Sequence, residues 1–280
     1  PDSSLKTGNN SLPTFHQGRT MSTGSASSTV RKKRMSAYDE QIKCHDYRID
    51  PNFWKDPYGV EVAHDTLKFL FIPDHVSAYI ASVLAHKVYR YQIDNIRTKE
   101  QITHAVMITM GGLLPGVLLH DHLAWTLNKN IPPIEFGTLG VRYYAGPGEP
   151  LDQPRIIHPL SIQVEQCVVG VVEDLVDLGG TARFVGQYLV EERKARKIVL
   201  IAPFLKSKNV IEEMDVIFFG HVPKDTWIIT PRERVETLIK RVPYWRDHGA
   251  TLEECYDNLR TIGYPEYLLD TYLRATYERG

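Results

Sequence analysis

One short stretch limits what this chain can fold into more than any other. In Val171-Val172-Glu173-Asp174-Leu175-Val176-Asp177-Leu178-Gly179-Gly180-Thr181, an apolar run ends in two adjacent carboxylates and then meets a pair of glycines. Residues 167–172 have the brevity and branching of a strand buried on both faces. Residues 181–194 return to helical spacing. A buried strand that feeds a helix through a tight turn is the unit of a parallel α/β sheet, in which ligands bind beyond the carboxyl ends of the strands.

The same residues specify what kind of ligand suits that place. The Glu173 and Asp174 carboxylates can accept hydrogen bonds from a ribose diol or hold Mg²⁺ through oxygen. Gly179 and Gly180 let the backbone approach an anion. The exposed N–H groups at the start of the next helix favour a phosphate. Thr181 adds a hydroxyl donor. A diol receptor thus adjoins a phosphate receptor, the two features of a ribose 5-phosphate. A ligand-free strand–turn–helix with an acidic rim is the plainer account. It would suffice for a bare Gly-Gly-Thr, but the ordered set of strand, Glu-Asp, Asp and Gly-Gly-Thr is far more specific.

The rest of the chain repeats the alternation. Residues 73–90 place Val76, Ile80, Val83, Leu84 and Val88 at helical spacing behind a Pro73-Asp74 start signal. Residues 104–110 form a short apolar strand, broken by Gly111 and Gly112, with a helix over 115–127. Residues 134–144 read as a strand. Residues 145–165 read as a long polar connection rich in Pro and Gly, a length that often marks a lid. Further strands are expected at 197–203, 215–219 and 226–229, and helices at 232–242, 251–260 and 265–277. The expected fold class is α/β, a mainly parallel sheet with flanking helices and a C-terminal helical extension. The expected divisions are a disordered tail at 1–36, the sheet domain at 37–230 and the extension at 231–280.

Composition narrows the function classes. The chain has 280 residues, 42% hydrophobic and 24% charged, with a net charge of −1. A sizeable core is possible, and nothing pushes the molecule towards nucleic acid or an anionic membrane, so neither is expected as a partner. No apolar run approaches the roughly 18 residues needed to span a bilayer. A secretory pattern is also missing, and a cytoplasmic location is expected. Cys44, Cys167 and Cys255 lack paired spacing, which points to reduced thiols. The basic run Arg31-Lys32-Lys33-Arg34 is more simply a solvated cluster in the tail than an import or phosphate-binding patch.

Residues 171–181 resemble the 5-phosphoribosyl-1-pyrophosphate (PRPP) motif of type I phosphoribosyltransferases, closest to the xanthine-guanine and hypoxanthine enzymes of purine salvage. Three further segments agree in chain order. Thr109-Met110-Gly111-Gly112-Leu113-Leu114-Pro115-Gly116 is similar to the pyrophosphate loop. Val141-Arg142-Tyr143-Tyr144 is similar to the opening of the mobile lid. Pro223-Lys224-Asp225-Thr226-Trp227-Ile228 is similar to the purine-recognition hood. Together they cover about residues 75–232.

The resemblance implies a type I phosphoribosyltransferase fold and transfer of ribose 5-phosphate from PRPP to a 6-oxopurine-like base, with release of pyrophosphate. It implies Mg²⁺ as cofactor and a homo-oligomer, a dimer. Glu173 and Asp174 would bind the ribose hydroxyls and help hold the metal, and Asp177 would handle a proton at the purine imidazole. Leu178, Gly179, Gly180 and Thr181 would form the 5-phosphate loop. Met110, Gly111 and Gly112 would form the pyrophosphate loop, with the glycines contacting pyrophosphate through backbone N–H groups. Trp227 would stack on the base, the Ile228 backbone would read its edge, and Lys206, with Lys208 as the other candidate, would read the purine oxygen. Arg142, Tyr143 and Tyr144 would open the lid.

Two positions depart from that pattern. Leu178 stands where the family has a Thr hydroxyl, and Met110 where the purine enzymes have Lys or Arg. Charge-assisted bonds are the stronger kind, so Met110 is the larger change. Two alternatives stay open: a PRPP- or nucleotide-binding regulator without transferase activity, and a transferase for a non-purine acceptor. A metal site at His120, Asp121 and His122 is set aside, because i, i+2 spacing places the two rings on different helix faces. The C-terminal tyrosines (Tyr256, Tyr264, Tyr267, Tyr272 and Tyr277) fit core or dimer packing better than a cofactor site.

Overall fold

The structure, a computed structural model, describes residues 48–125, 128–146, 149–206 and 214–279, with the backbone alone at 143–146 and 149–153. The expected tail, its basic run, Cys44 and Lys208 lie outside the described residues, as do the Tyr143 and Tyr144 side chains.

The main sheet is α/β and mostly parallel, as expected. Its strands are β3 (His104–Thr109), β4 (Glu135–Gly146), β5 (Glu149–His158), β6 (Val168–Val172), β7 (Leu175–Val176), β8 (Lys197–Leu205) and β9 (Asp215–His221). The order is β5-β4-β3-β6-β8, with β7 and β9 also paired to β8. All pairs are parallel except β4 with β5. Every residue of β6 is buried, which is why its sequence is apolar without alternation.

Helices cover both faces. On one face, α2 (Asp74–Asp94) and α3 (Leu113–Leu123) bury Leu84, Val88 and Leu119 against Ala105, Val172 and Ile201. On the other, α4 (Gly180–Glu191) buries Val185 and Leu189 against Val106, Val171 and Leu200. Each such side chain contributes about 1.5–3 kcal/mol by leaving water. The buried Gln92 amide bonds both Ile102 N–H and Ile102 C=O at 2.7 Å, which fixes the end of α2 to the approach of β3.

A second, small sheet joins β1 (Val60–Glu61) and β2 (Lys68–Phe71) to β10 (Thr226–Ile229), with β2 and β10 parallel. The C-terminal helices α5 (Arg234–Asp247) and α6 (Leu252–Ile262) pack on it. Trp245, Leu238, Val242 and Leu259 share a core with Phe69 and Ile229. The remaining helical stretch is Glu266–Leu268 and Arg274–Glu278 around a π turn at Leu269–Leu273. Among the tyrosines there, Tyr264 and Tyr277 donate hydroxyl bonds to Arg234 C=O and Ala250 C=O, a packing role.

Two expectations are corrected. Residues 145–165 are not one long connection, because β5 returns antiparallel to β4 as the edge of the sheet. Pro150 and Pro154 are tolerated there because an edge strand has one side free of pairing. Residues 232–242 do not end the fifth helix at Pro243. α5 continues to Asp247 because Val242 and Trp245 are both fully buried, which outweighs the hydrogen bond that proline removes. No helix among the described residues is long and apolar enough to cross a membrane.

Candidate functional site

The site begins where β6 ends. Val172 pairs with Ile201, and Leu175 then pairs with Phe204 in the same register. Glu173 and Asp174 occupy the jog between these two pairings, and Glu173 N–H donates to Ile201 C=O at 3.1 Å. The backbone is thus held on both sides while the two carboxylates turn out of the strand. Burial, and next the charge of Asp174, push Glu173 up to about 8. Burial also raises Asp174, against the opposing pull of Arg232.

The loop after β3 presses against this pair. A β-carbon at Gly111 would stand 2.6 Å from Asp174 Oδ1, and one at Gly112 would stand 2.0 Å from Val172 O. At Gly112 the clash is with backbone and only glycine fits, whereas at Gly111 a side chain would have to displace the Asp174 carboxylate. The Thr109–Met110 peptide is cis. Gly112 was expected to offer its N–H to a ligand, but it donates that group to Ile108 C=O at 2.7 Å. Its role is close packing, which leaves Met110 and Gly111 as the loop's exposed surface. The Met110 side chain is 62% exposed.

The turn into α4 has the anticipated form. Gly179 is left-handed, with φ 74°, and caps the helix that starts at Gly180. Arg183 reaches back to donate to Leu178 C=O at 3.0 Å. Leu178 itself is 76% exposed. Asp177 lies 3.9 Å from Lys206 Nζ at the end of β8. Arg142 is exposed on β4, opposite Arg155 of β5.

A cavity of about 440 Å³ opens beside these segments, and Gly112, Arg142, Asp177, Leu178, Gly179 and Gly180 are not among its lining residues. Its floor includes Met110, Gly111, Glu173, Asp174, Thr181 and Lys206, and its roof includes Trp227 and Ile228 from β10. The Trp227 indole N–H donates to Thr237 Oγ1 at 3.0 Å, and the Lys240 and Arg241 cations each lie 5.8 Å from the ring. Trp227 is therefore held in place by α5.

Sequence reasoning missed one wall altogether. Arg232, Glu233, Glu236 and Lys240, from the start of the C-terminal helical region, also line the cavity. Arg232 Nη2 lies 3.3 Å from Asp174 Oδ2 and 2.8 Å from Glu233 Oε1, and Nη1 lies 3.6 Å from Glu236. Burial, and then the Asp174 charge, raise Glu233 as well. The overlooked signal was the i, i+4 series Arg232, Glu236, Lys240, which gathers three charges along the turn and first turns of α5 immediately after β10.

Among the described residues, no group of three His, Cys, Asp or Glu is arranged to hold a metal. His122 and His120 have other partners, Ser82 Oγ at 3.3 Å and the edge of Phe136. Glu173 and Asp174, adjacent in the chain, offer two hard oxygen donors of the kind Mg²⁺ takes from a protein when substrate phosphates and water complete its shell. The donor set therefore fits such an ion, bound together with a ligand.

The chain is similar to purine phosphoribosyltransferases. It matches the structure of a purine phosphoribosyltransferase from Pyrococcus horikoshii with a TM-score of 0.44 and 21% identity, over 58% of this chain and 92% of that one. It matches a hypothetical protein from Neisseria gonorrhoeae with bound ppGpp at a TM-score of 0.46 and 17% identity, over 66% and 96%. For the hypoxanthine phosphoribosyltransferase of Trypanosoma cruzi in complex with IMP, the values are 0.41 and 16%, over 52% and 77%. No protein-family model and no curated protein matches the sequence.

Proposed function

We propose that this protein is a phosphoribosyltransferase that moves ribose 5-phosphate from PRPP to a 6-oxopurine-like base. The observation that carries this reading is the convergence on one cavity of an acidic pair, a glycine loop and the start of a helix. Glu173 and Asp174 meet a diol, Thr181 and the start of α4 meet a phosphate, and Met110-Gly111 faces the space left for pyrophosphate. Trp227 closes the opposite side, where a planar base fits.

In the reaction, a base nitrogen attacks the anomeric carbon as the bond from that carbon to pyrophosphate breaks. Asp177 accepts the proton that the base loses. Glu173 and Asp174 hold the ribose hydroxyls and fix the sugar for in-line displacement. A Mg²⁺ held by the same pair and by substrate oxygens would neutralise charge on the departing pyrophosphate. Lys206, 3.9 Å from Asp177, would meet an exocyclic oxygen of the base.

A second reading, a binding protein without transfer, is favoured by Met110 and Leu178, which put exposed apolar side chains at both anion loops. A pyrophosphate-release assay with PRPP, Mg²⁺ and hypoxanthine, guanine, xanthine, adenine or orotate separates the two. Release with one purine, lost in Asp177→Asn, is the expected result. Binding of PRPP without release for any base would favour the second reading, and release with orotate alone would indicate a non-purine acceptor.

A further inference from the structure

We propose that Arg232 is the pyrophosphate-binding cation of this site and stands in for the charge that the loop at Met110 does not supply. The inference rests on the PRPP reading and assigns one part of it to a residue outside all four segments that suggested it.

Placement singles out Arg232. Among the described residues, three cations line the cavity: Lys206, Lys240 and Arg232. Lys206 belongs to the Asp177 end, at 3.9 Å. Lys240 is bonded to Glu236 at 2.7 Å and lies over Trp227, the base end. Of these three, Arg232 adjoins the pyrophosphate loop, because its partner Asp174 is the residue that a β-carbon at Gly111 would strike. It also lines the small apolar cavity behind Gly111, so it borders the loop on two sides.

The chemistry agrees. A pyrophosphate entering beside Glu173 and Asp174 meets like charge, and the loop answers with backbone N–H groups and an uncharged Met110. A guanidinium is the group best shaped to grip two phosphate oxygens at once. Asp174, Glu233 and Glu236 hold the Arg232 fork in position, while its Nε is buried without a hydrogen bond. A pyrophosphate oxygen entering beside Asp174 takes over the long 3.3 Å contact of Nη2, while Glu233 at 2.8 Å keeps the fork in place.

The test is calorimetric titration of the full chain with PRPP, magnesium pyrophosphate and ribose 5-phosphate, for the native protein, Arg232→Met and Met110→Arg. Arg232→Met is expected to weaken pyrophosphate and PRPP by about tenfold or more and to leave ribose 5-phosphate within about twofold. Adding Met110→Arg to Arg232→Met should restore most of the pyrophosphate affinity, which a merely structural role would not allow. If Arg232→Met fails to fold, Met110→Arg in the native background decides. With Arg232 already in the role, it should gain less than about threefold for pyrophosphate, and a gain of about tenfold would overturn the inference. Equal pyrophosphate binding by native and Arg232→Met protein would overturn it while leaving the PRPP reading intact. A native chain that binds none of the three ligands would overturn both.

Discussion

Gly111 packs so closely on Asp174 that a β-carbon at position 111 would lie 2.6 Å from Asp174 Oδ1. The loop after β3 and the acidic pair are therefore in direct contact. Gly111→Ala must push either the loop or the carboxylate aside, a strain of about 1–3 kcal/mol. The expected outcome is a protein that still melts cooperatively but binds PRPP at least about tenfold more weakly. Unchanged affinity would mean that the contact relaxes without consequence and that the two segments do not act together.

Leu178 offers the opposite experiment, a gain. Its side chain is 76% exposed, so replacing it removes little packing. Leu178→Thr places a hydroxyl at the mouth of the turn, beside the Gly179 cap and Thr181. One added hydrogen bond is worth about 0.5–1.5 kcal/mol, or roughly two- to tenfold tighter binding of ribose 5-phosphate. Weaker or unaltered binding, read by calorimetry, would place the 5-phosphate elsewhere.

How far such a site can be read from sequence depends on how local its parts are. The acidic pair and the glycine turn were legible because strand, carboxylates and helix start follow one another within eleven positions, residues 171–181. Helix α2 was legible because its buried side chains repeat at helical spacing. Arg232 was not, since its meaning comes from Asp174, 58 positions earlier. The strand at β2 was invisible for the same reason. Its four residues become a strand through pairing with β10, near the other end of the chain. The edge strand β5 was concealed by its prolines, which local pattern reads as loop and an edge position permits.

The hood is braced by a buried ion cluster whose removal should be felt throughout. Asp65 has a fully buried side chain and pairs with Arg241. Its Oδ2 accepts from Arg241 Nε at 2.9 Å and Trp245 Nε1 at 2.6 Å, and its Oδ1 accepts from Leu67 N–H at 2.9 Å. Asp65→Ala leaves the guanidinium unpaired in a nearly closed site, at about 3–5 kcal/mol. A fall in melting temperature on the order of 10 °C is expected. Asp65→Ala with Arg241→Met should recover part of it, because the orphaned charge is then gone. A double variant no better than the single would assign the loss to the Trp245 and Leu67 bonds.

Glu173 should make stability depend on pH in a direction unusual for a carboxylate. Its folded value is pushed up to about 8, against an ordinary 4.5. Between those values the folded chain binds more protons than the unfolded one, so stability falls as pH rises through the window. The contribution is fully present below the ordinary value and lost above the folded one. Asp174 is shifted the same way by burial and adds to the fall, although Arg232 limits it. Urea midpoints measured from about pH 5 to 8.5 should decline in the native chain and flatten in Glu173→Gln, which keeps the shape and removes the titration. Parallel curves would mean that Glu173 is ionised and solvated in the folded protein.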